Sequence, residues 1–561
     1  MFSIQSGACA AGQGRVESRD WAIGPRRLPR AARLIGAIGA LALLASACTG
    51  ADDEDPAKVG LVQGFAGIVV SDEPRAALIG REILGSGGNA ADTAVAMYFT
   101  MSVTLPSRVG LGSGGVCVLY DVSENAAEAL LFLPRASDER GVVPQGPRAM
   151  AALHARHGLI RWEVLVSPGE AMARFGHPVS RAFARDLAAA ASQIAAHPEM
   201  AKIFRNNAGE LPDEGDKIEQ VELASVLGGL RAQGAAYMYS GHFVRRFTEA
   251  AAAAGQPVTV EQVRESVPVF TAPVAVAFGA HTLYFTAPPA ANGLVAAQLW
   301  KMLADVASLP PDGTPDRAHL FVEASERAFA QRAGWMEPSG AAREDPETLL
   351  EKSHLKRVLD GYSDRRHTPA ASLTPRPVAV PENPHGASFV TGDRWGNMVA
   401  CSFTMNGLFG AFQIAPGTGI LLAAVPREHF NGILSPSAVI LANTHSEEAY
   451  FAAAASGGSA APTALVSVLL GALVDEGSLK EITARPRFHH SGAPDVTFFE
   501  AGAAPGILDG LRDRGHLLRE APMLGRVNAL YCPNGIRHAD DQEDCAFAND
   551  PRGWGLGFNV Q

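Results

Sequence analysis

Between Ala387 and Val425 the apolar positions come in short blocks rather than in a helical stripe. Ala387 to Thr391 is a β-prone run, Asp393 to Gly396 carries turn residues, and Met398 to Met405 is a second run containing Val, Phe and Thr. This order predicts a strand, a turn and a strand. The cluster Ala415 to Gly419 and the apolar run Ile420 to Val425 predict another strand after a tight loop. Upstream, from Gly67, a short strand precedes Leu78, Ile79, Glu82 and Ile83 at helical spacing. Gly87-Gly88-Asn89 then punctuates, and Ala90 to Thr100 continues as a second helix with small residues that permit close packing. Gly110 to Gly115 lacks a following GK[ST] and precedes a strand, so it reads as a tight turn and not a phosphate cradle.

The middle of the chain gives coarser order. Trp162 to Phe175 reads as a helix stopped by Gly176 and Pro178, and Ser180 to Ala195 as a second, Ala-rich helix. His319 to Trp335 carries an apolar stripe through Leu320, Ala324, Ala328 and Phe329, which leaves Glu323, Glu326 and Arg327 for a solvated face with ion pairs. From Lys356 to His385 five prolines and the run Arg365-Arg366-His367 mark an exposed linker.

Composition narrows the picture. The 561 residues are 47% hydrophobic, enough for a large core, as several average domains or one large sandwich. A formal charge of −11 speaks against a nucleic-acid partner and for an acidic soluble surface. Arg26, Arg27, Arg30 and Arg33 precede the apolar run Leu34 to Ala47, which is too short for a comfortable transmembrane span and reads as an export signal over residues 1–47. Leu44 to Cys48 resembles a bacterial lipoprotein box, so the expectation is a periplasmic or envelope protein lipid-anchored to the membrane at Cys48, with plain secretion as the alternative. Residues 48–58 are an acidic tether. Of six cysteines, Cys117 and Cys401 sit in apolar runs and are expected as buried inert thiols. Cys532 and Cys545 bracket a polar loop and read as a disulfide, with free or metal-binding thiols as the alternative. No Cys/His spacing resembles a zinc site, and neither a metal nor a cofactor is expected.

GNMVACSFTMNGLFG followed by PGTGILL (residues 396–410 and 416–422) resembles the opening of the small subunit of the γ-glutamyltransferases, which are N-terminal-nucleophile hydrolases. The stretch from Gly67 to Asp121, with its GG-N-A-x-D-A and glycine-rich turn, is similar to that family's large-subunit opening. Val221 to Tyr239 and Thr282 to Gly293 also match family segments, as do Ala484 to His490 and Asp550 to Gly553. The resemblance implies an α/β (α+β) four-layer αββα sandwich. It divides the chain into a large-subunit-like region 59–355, a linker 356–385 ahead of the self-cleavage point, and a small-subunit-like region 386–561. It also implies a chain that cuts itself before a Thr and uses that Thr as nucleophile and its freed amine as base, transferring or hydrolysing γ-glutamyl amides such as glutathione without a cofactor.

The family places its Thr eleven residues before the Asn of its turn, and counting back from Asn397 reaches Gly386. Glycine has no side-chain oxygen, so the family reaction is expected to be altered or lost. If activity persists, Ser388 is the candidate relocated nucleophile, on a small-molecule γ-glutamyl or other amide ligand. The alternative is a non-catalytic, single-chain binding or structural lipoprotein. Thr404 and Asn406 match the family's T-x-N, the Thr supporting the nucleophile and the Asn contacting substrate. Gly457 and Gly458 match the pair whose backbone N–H groups form the oxyanion hole. Arg135 stands two residues beyond the position of the carboxylate-binding Arg, and Glu428 near that of the amine-binding Asp. His489 and His490 are expected to be structural.

Overall fold

The residues described by a computed structural model are Val62 and 64–561, except 135, 137–140, 207, 380–382, 427–435 and 539–544. The export signal, the tether and Cys48 therefore lie outside the described residues. In chain order the framework begins with strand β1 (Gly67–Ser71), helices α1 (Pro74–Gly85) and α2 (Ala90–Thr104), and strands β2 (Gly114–Asp121) and β3 (Ala126–Phe132). Helices α3 (Trp162–Phe175) and α4 (Val221–Gln233) follow, then strands β4 (Val269–Thr271), β5 (Val274–Phe278) and β6 (His281–Phe285), and helices α5 (Ala291–Ala304), α6 (Pro315–Trp335) and α7 (Lys352–Val358). The second half supplies β7 (Gly386–Asp393), β8 (Met398–Thr404), β9 (Ser437–Asn443), β10 (Glu448–Ser456), helix α8 (Ala461–Leu473), β11 (Arg526–Tyr531), β12 (Ala546–Ala548) and β13 (Leu556–Val560).

Side chains alternate across each strand, and here both faces of each sheet are apolar. Phe389 on β7 and Val399, Cys401 and Phe403 on β8 join the core of α2, α3 and α4. Their neighbours Val390, Met398 and Ala400 point the other way, onto Ala438, Ile440, Ala452 and Ala454 of a second sheet. On that sheet Val439, Phe451 and Ala453 face Leu294 of α5, Val322 of α6 and Leu465 of α8. The result is helices, sheet, sheet, helices. The first sheet runs β13-β1-β7-β8-β2-β3-β4 and the second β12-β11-β10-β9-β6-β5. Every pairing in these two sheets is antiparallel. The alanine run in β10 keeps the facing layers close.

Local signals explain the joints. Asn89 caps α2 by accepting from the Asp92 amide while Asp92 returns a bond to Asn89, a reciprocal capping box. The Ala90 amide donates to Asp393 Oδ2 at 2.9 Å, which fastens α2 to the end of β7.

Several expectations are corrected. Of Ile420 to Val425 only Ile420–Leu421 is paired, with Ile414–Ala415. The helix read over Ser180 to Ala195 divides at Ala190 into Arg181–Ala189 and Ala191–Ala196. Glu323, Glu326 and Arg327 are not solvated: the first two are fully buried and Arg327 is 1% exposed. The reason is that α6 is covered on its polar side too, by residues 363–370 and 490–516, which bring His367, His490 and His516 against it. That linker segment is consequently anchored, not free. Cys117 and Cys401 are not thiols but a disulfide, placed directly opposite each other in the β2–β8 register with Cα atoms 4.1 Å apart. Cys532 and Cys545 are also joined by a disulfide. No helix among the described residues is long and apolar enough to cross a membrane.

Candidate active site

β7 starts at Gly386, whose cross-strand partner on β8 is Thr404. The Gly457–Gly458 turn leaves the end of β10 with both residues at positive φ, 130° and 63°, where glycine is the residue without steric cost. The two ends meet. A Cβ on Gly386 would stand 3.2 Å from the Cβ of Ser456, and only 2.7 Å from the carbonyl oxygen of Phe403. A Cβ on Gly458 would stand 2.8 Å from the carbonyl oxygen of Asn383. The intact chain just upstream of Gly386 thus lies against the glycine turn.

Buried charge surrounds this junction. The Arg526 side chain, 2% exposed, donates through Nη2 to the Gly386 carbonyl, and at 3.3 Å to both the Pro384 carbonyl and Ser456 Oγ. Its Nε finds no acceptor among the described residues, the nearest carboxylate being Asp72 at 3.9 Å. Burial, together with the charge of Arg108, pulls this guanidinium down to about 10. Arg108 makes a two-pronged pair with Asp186 at 2.7 and 2.8 Å, and Ser107 Oγ donates to the same carboxylate at 2.6 Å. Arg108 Nη1 has no partner among the described residues. Burial holds His385 down at about 4, so it is neutral at pH 7. Arg108, Asp186, Arg526 and His385 were not read from the sequence as site residues. Their one signal, a polar residue inside an apolar or Gly-rich run, also marks ordinary ion pairs.

Ser388 occupies a different environment. Its Oγ donates to the Ala454 carbonyl at 3.1 Å and accepts from Asn528 Nδ2 at 2.9 Å. Its amide donates to Asp72 Oδ2 at 2.9 Å and its carbonyl accepts from the Asp72 amide and from Asn528. Ser402, opposite it on β8, uses its hydroxyl in the same way on Ala455. Both serines tie one sheet to the other. Thr404 Oγ1 accepts from the Asn406 amide, and Asn406 Nδ2 donates to the carbonyls of Pro134 and Ala424, each at 2.9 Å. Asn406, at φ 57°, therefore spends its amide on holding loops. Arg135 and Glu428 lie outside the described residues.

Comparison with known proteins decides the family. The sequence profile described as gamma-glutamyltranspeptidase matches residues 76–555. The chain belongs to the gamma-glutamyltranspeptidase family. It is 24% identical over 538 residues to the glutathione hydrolase proenzyme of Escherichia coli (strain K12), covering 86% of this chain and 92% of that one. It is 26% identical over 532 residues to the acylase ACY 1 proenzyme of Pseudomonas sp. (strain SE83), covering 84% and 91%. Among solved structures, the cephalosporin acylase from Bacillus halodurans superposes with a TM-score of 0.75 at 20% identity, over 92% of this chain and 99% of that chain. That likeness shows the fold, the four-layer sandwich of the N-terminal-nucleophile hydrolases.

Away from the Gly386 junction, this family member gathers two groups of histidines and carboxylates with ligand-capable atoms within 4.8 Å of one another: Glu326, His367, His490 and Asp495, and His319, Glu323 and His516. Their hydrogen bonds fix the protons. His367 sends Nδ1 to Glu323 at 2.7 Å and Nε2 to Asp495 at 2.9 Å, so both nitrogens donate and the ring is an imidazolium. Burial opposes that charge, but the three surrounding carboxyl groups outweigh it and raise His367 to about 9. His490 Nδ1 accepts from the Gly492 amide, which leaves the proton on Nε2, facing Asp495 at 3.3 Å and Glu326 at 3.4 Å. His319 Nε2 faces the Ser363 carbonyl, so its Nδ1 accepts from His516. A metal ion at His490 Nε2 or His319 Nδ1 would have to displace these bonds. The arrangement holds protons. Burial and the Glu323 charge push Glu326 up to about 9, and neither of its oxygens has a hydrogen-bond partner among the described residues.

Proposed function

We propose that this protein is an uncleaved member of the gamma-glutamyltranspeptidase family in which self-cleavage and γ-glutamyl transfer are lost and a binding role remains. One observation carries the reading. The count back from Asn397 puts the family's nucleophile position at Gly386, and the space that a side chain there would enter is taken by the Phe403 carbonyl and Ser456. An oxyanion hole without a nucleophile stabilises no acyl intermediate. The strap at Asn383 lies over Gly458, and Arg526 holds that strap through the Pro384 and Gly386 carbonyls. The junction sets Arg108 and Arg526 against Asp186 and Asp72, and each guanidinium keeps one N–H with no acceptor among the described residues, which suits a carboxylate-bearing small molecule. Two disulfides support an oxidising compartment and thus export, with anchoring at Cys48 as part of the same proposal.

The second reading is an amide hydrolase with Ser388 as nucleophile. It requires a break inside β7, between residues paired to Phe403 and Ser402 on β8, and release of an amide held by Asp72. Intact mass and N-terminal sequencing of the purified full chain, incubated at neutral pH, separate the two. A single species that releases nothing from a γ-glutamyl anilide is the expected result. Two fragments with a new N-terminus at Ser388 would overturn the binding reading.

A further inference from the structure

A cavity of about 760 Å³ opens where α6, α7 and the segment 360–374 meet. It contains five basic side chains, Arg327, His354, Arg357, Arg366 and His367, against one lining carboxylate, Asp360. His367 is already saturated by Glu323 and Asp495. The other four are not. Arg327, 1% exposed, places Nη1 on Glu323 at 2.7 Å and Nη2 on Thr368 Oγ1 at 2.9 Å, but its Nε has no acceptor. His354 Nε2 is buried and, like Arg327 Nε, has no partner among the described residues. Arg357 and Arg366, both exposed, make no ion pair among the described residues. Glu344 and Glu351 act on His354 from outside the cavity lining.

A buried N–H without an acceptor costs free energy, and more when it belongs to a guanidinium. Arg327 Nε and, with its proton on that nitrogen, His354 Nε2 belong to side chains that line one cavity, and with two arginines beside them that make no ion pair among the described residues they form a donor set that an oxyanion satisfies. We infer that this cavity binds a small multivalent oxyanion, one carrying at least two phosphate or carboxylate groups. One group pairs with Arg327 and His354 in the interior, and the second with Arg357 and Arg366 at the exposed side. The volume is far larger than one phosphate needs, which selects an elongated ligand over a lone ion. The site draws on none of the residues around Gly386, so it stands whether or not the chain is catalytic.

Calorimetric titration of the full chain with pyrophosphate, citrate and orthophosphate, at ionic strength matched with potassium chloride, tests this. Pyrophosphate and citrate distinguish a phosphate from a carboxylate ligand. At least one of them is expected to bind with one-to-one stoichiometry and more tightly than orthophosphate. The double variant Arg357→Gln/Arg366→Gln removes two exposed charges and is expected to melt as the parent does. Its affinity should fall by about tenfold for each guanidinium removed, while Asp360→Asn strengthens binding. No heat with either multivalent anion overturns the inference. So does equal affinity in parent and double variant, which would identify a general salt effect.

Discussion

If Gly386 holds the family's nucleophile position, as proposed, Gly386→Thr is expected to damage the fold without restoring chemistry. The added Cβ would stand 2.7 Å from the Phe403 carbonyl oxygen, inside any normal carbon–oxygen contact, and 3.2 Å from the Ser456 Cβ. Neither neighbour yields easily. Phe403 lies in the β8 ladder opposite Ala387, and its ring is buried against Phe132 and Phe389. Arg526 pins the Gly386 carbonyl and Ser456 Oγ from the other side. Overpacking of this kind costs about 1–3 kcal/mol, and a lost ladder hydrogen bond adds about 1 kcal/mol. The higher strand propensity of threonine returns at most about 1 kcal/mol. The net expectation is a loss of about 1–4 kcal/mol. Urea unfolding at pH 7 measures it, and electrophoresis after long incubation reads self-cleavage in the same sample. Gly386→Ala, which adds the Cβ alone, should show most of the loss. A Gly386→Thr protein that unfolds at the parent's urea midpoint and cuts itself into two chains would refute the argument, because it would show the site to be open and merely missing one hydroxyl.

The proton network under α6 makes stability fall with alkali. Glu326 and His367 are both raised to about 9 in the folded protein, from ordinary values of 4.5 and 6.5, so the folded state holds protons that the unfolded chain releases. His367 contributes fully below pH 6.5 and loses its contribution through about pH 9, while the cost of keeping Glu326 neutral grows from about pH 4.5 to about pH 9, each at no more than about 1.4 kcal/mol per pH unit. Glu326→Gln keeps the shape beside Glu323, Arg327, His490 and Asp495. It should flatten the decline in urea midpoint from pH 6.5 to 9, and an unchanged slope would show that Glu326 does not hold that proton. For the cysteines, alkylation of the unfolded, unreduced protein should leave Cys117, Cys401, Cys532 and Cys545 unlabelled, and label on Cys117 would contradict the β2–β8 register. Cys532→Ser/Cys545→Ser, which opens a loop with a sequence separation of 13, should cost about 3 kcal/mol by chain entropy.

What the sequence made legible follows from range. The strand, turn and strand around Asp393 to Gly396 could be read because β-branched blocks and turn residues act locally, and β7 and β8 match them closely. The helix over Trp162 to Phe175 was legible for the same reason, a stripe bounded by a glycine. The second buried face of α6 was not. Its partners arrive from His367, His490 and His516, and hydrophobic periodicity cannot register a polar face that is buried by other polar groups. Nor could the Cys117–Cys401 bond be read, since it depends on which strands become neighbours across 284 residues. Arg526 and Arg108 were missed on similar grounds, because each acquires its meaning from a carboxylate or carbonyl that only the fold brings near.

The count back from Asn397 puts the family's threonine position at Gly386, but a count does not distinguish a deletion from a redesign. A threonine replaced alone would leave a gap the size of its side chain, and such a void costs stability until neighbours collapse into it. Among the described residues, a Cβ at Gly386 meets close neighbours and not open space. The Phe403 carbonyl and Ser456 occupy the direction of its absent Cβ, Asn383 closes on Gly458, and Arg526 bridges the chain on both sides of the position. These contacts are mutually dependent: reopening the pocket means moving a ladder carbonyl, a strap and a buried guanidinium together. On the proposed reading, the absence of a threonine side chain at Gly386 and the close packing around it belong to one packing solution, and a single substitution is not expected to reverse it.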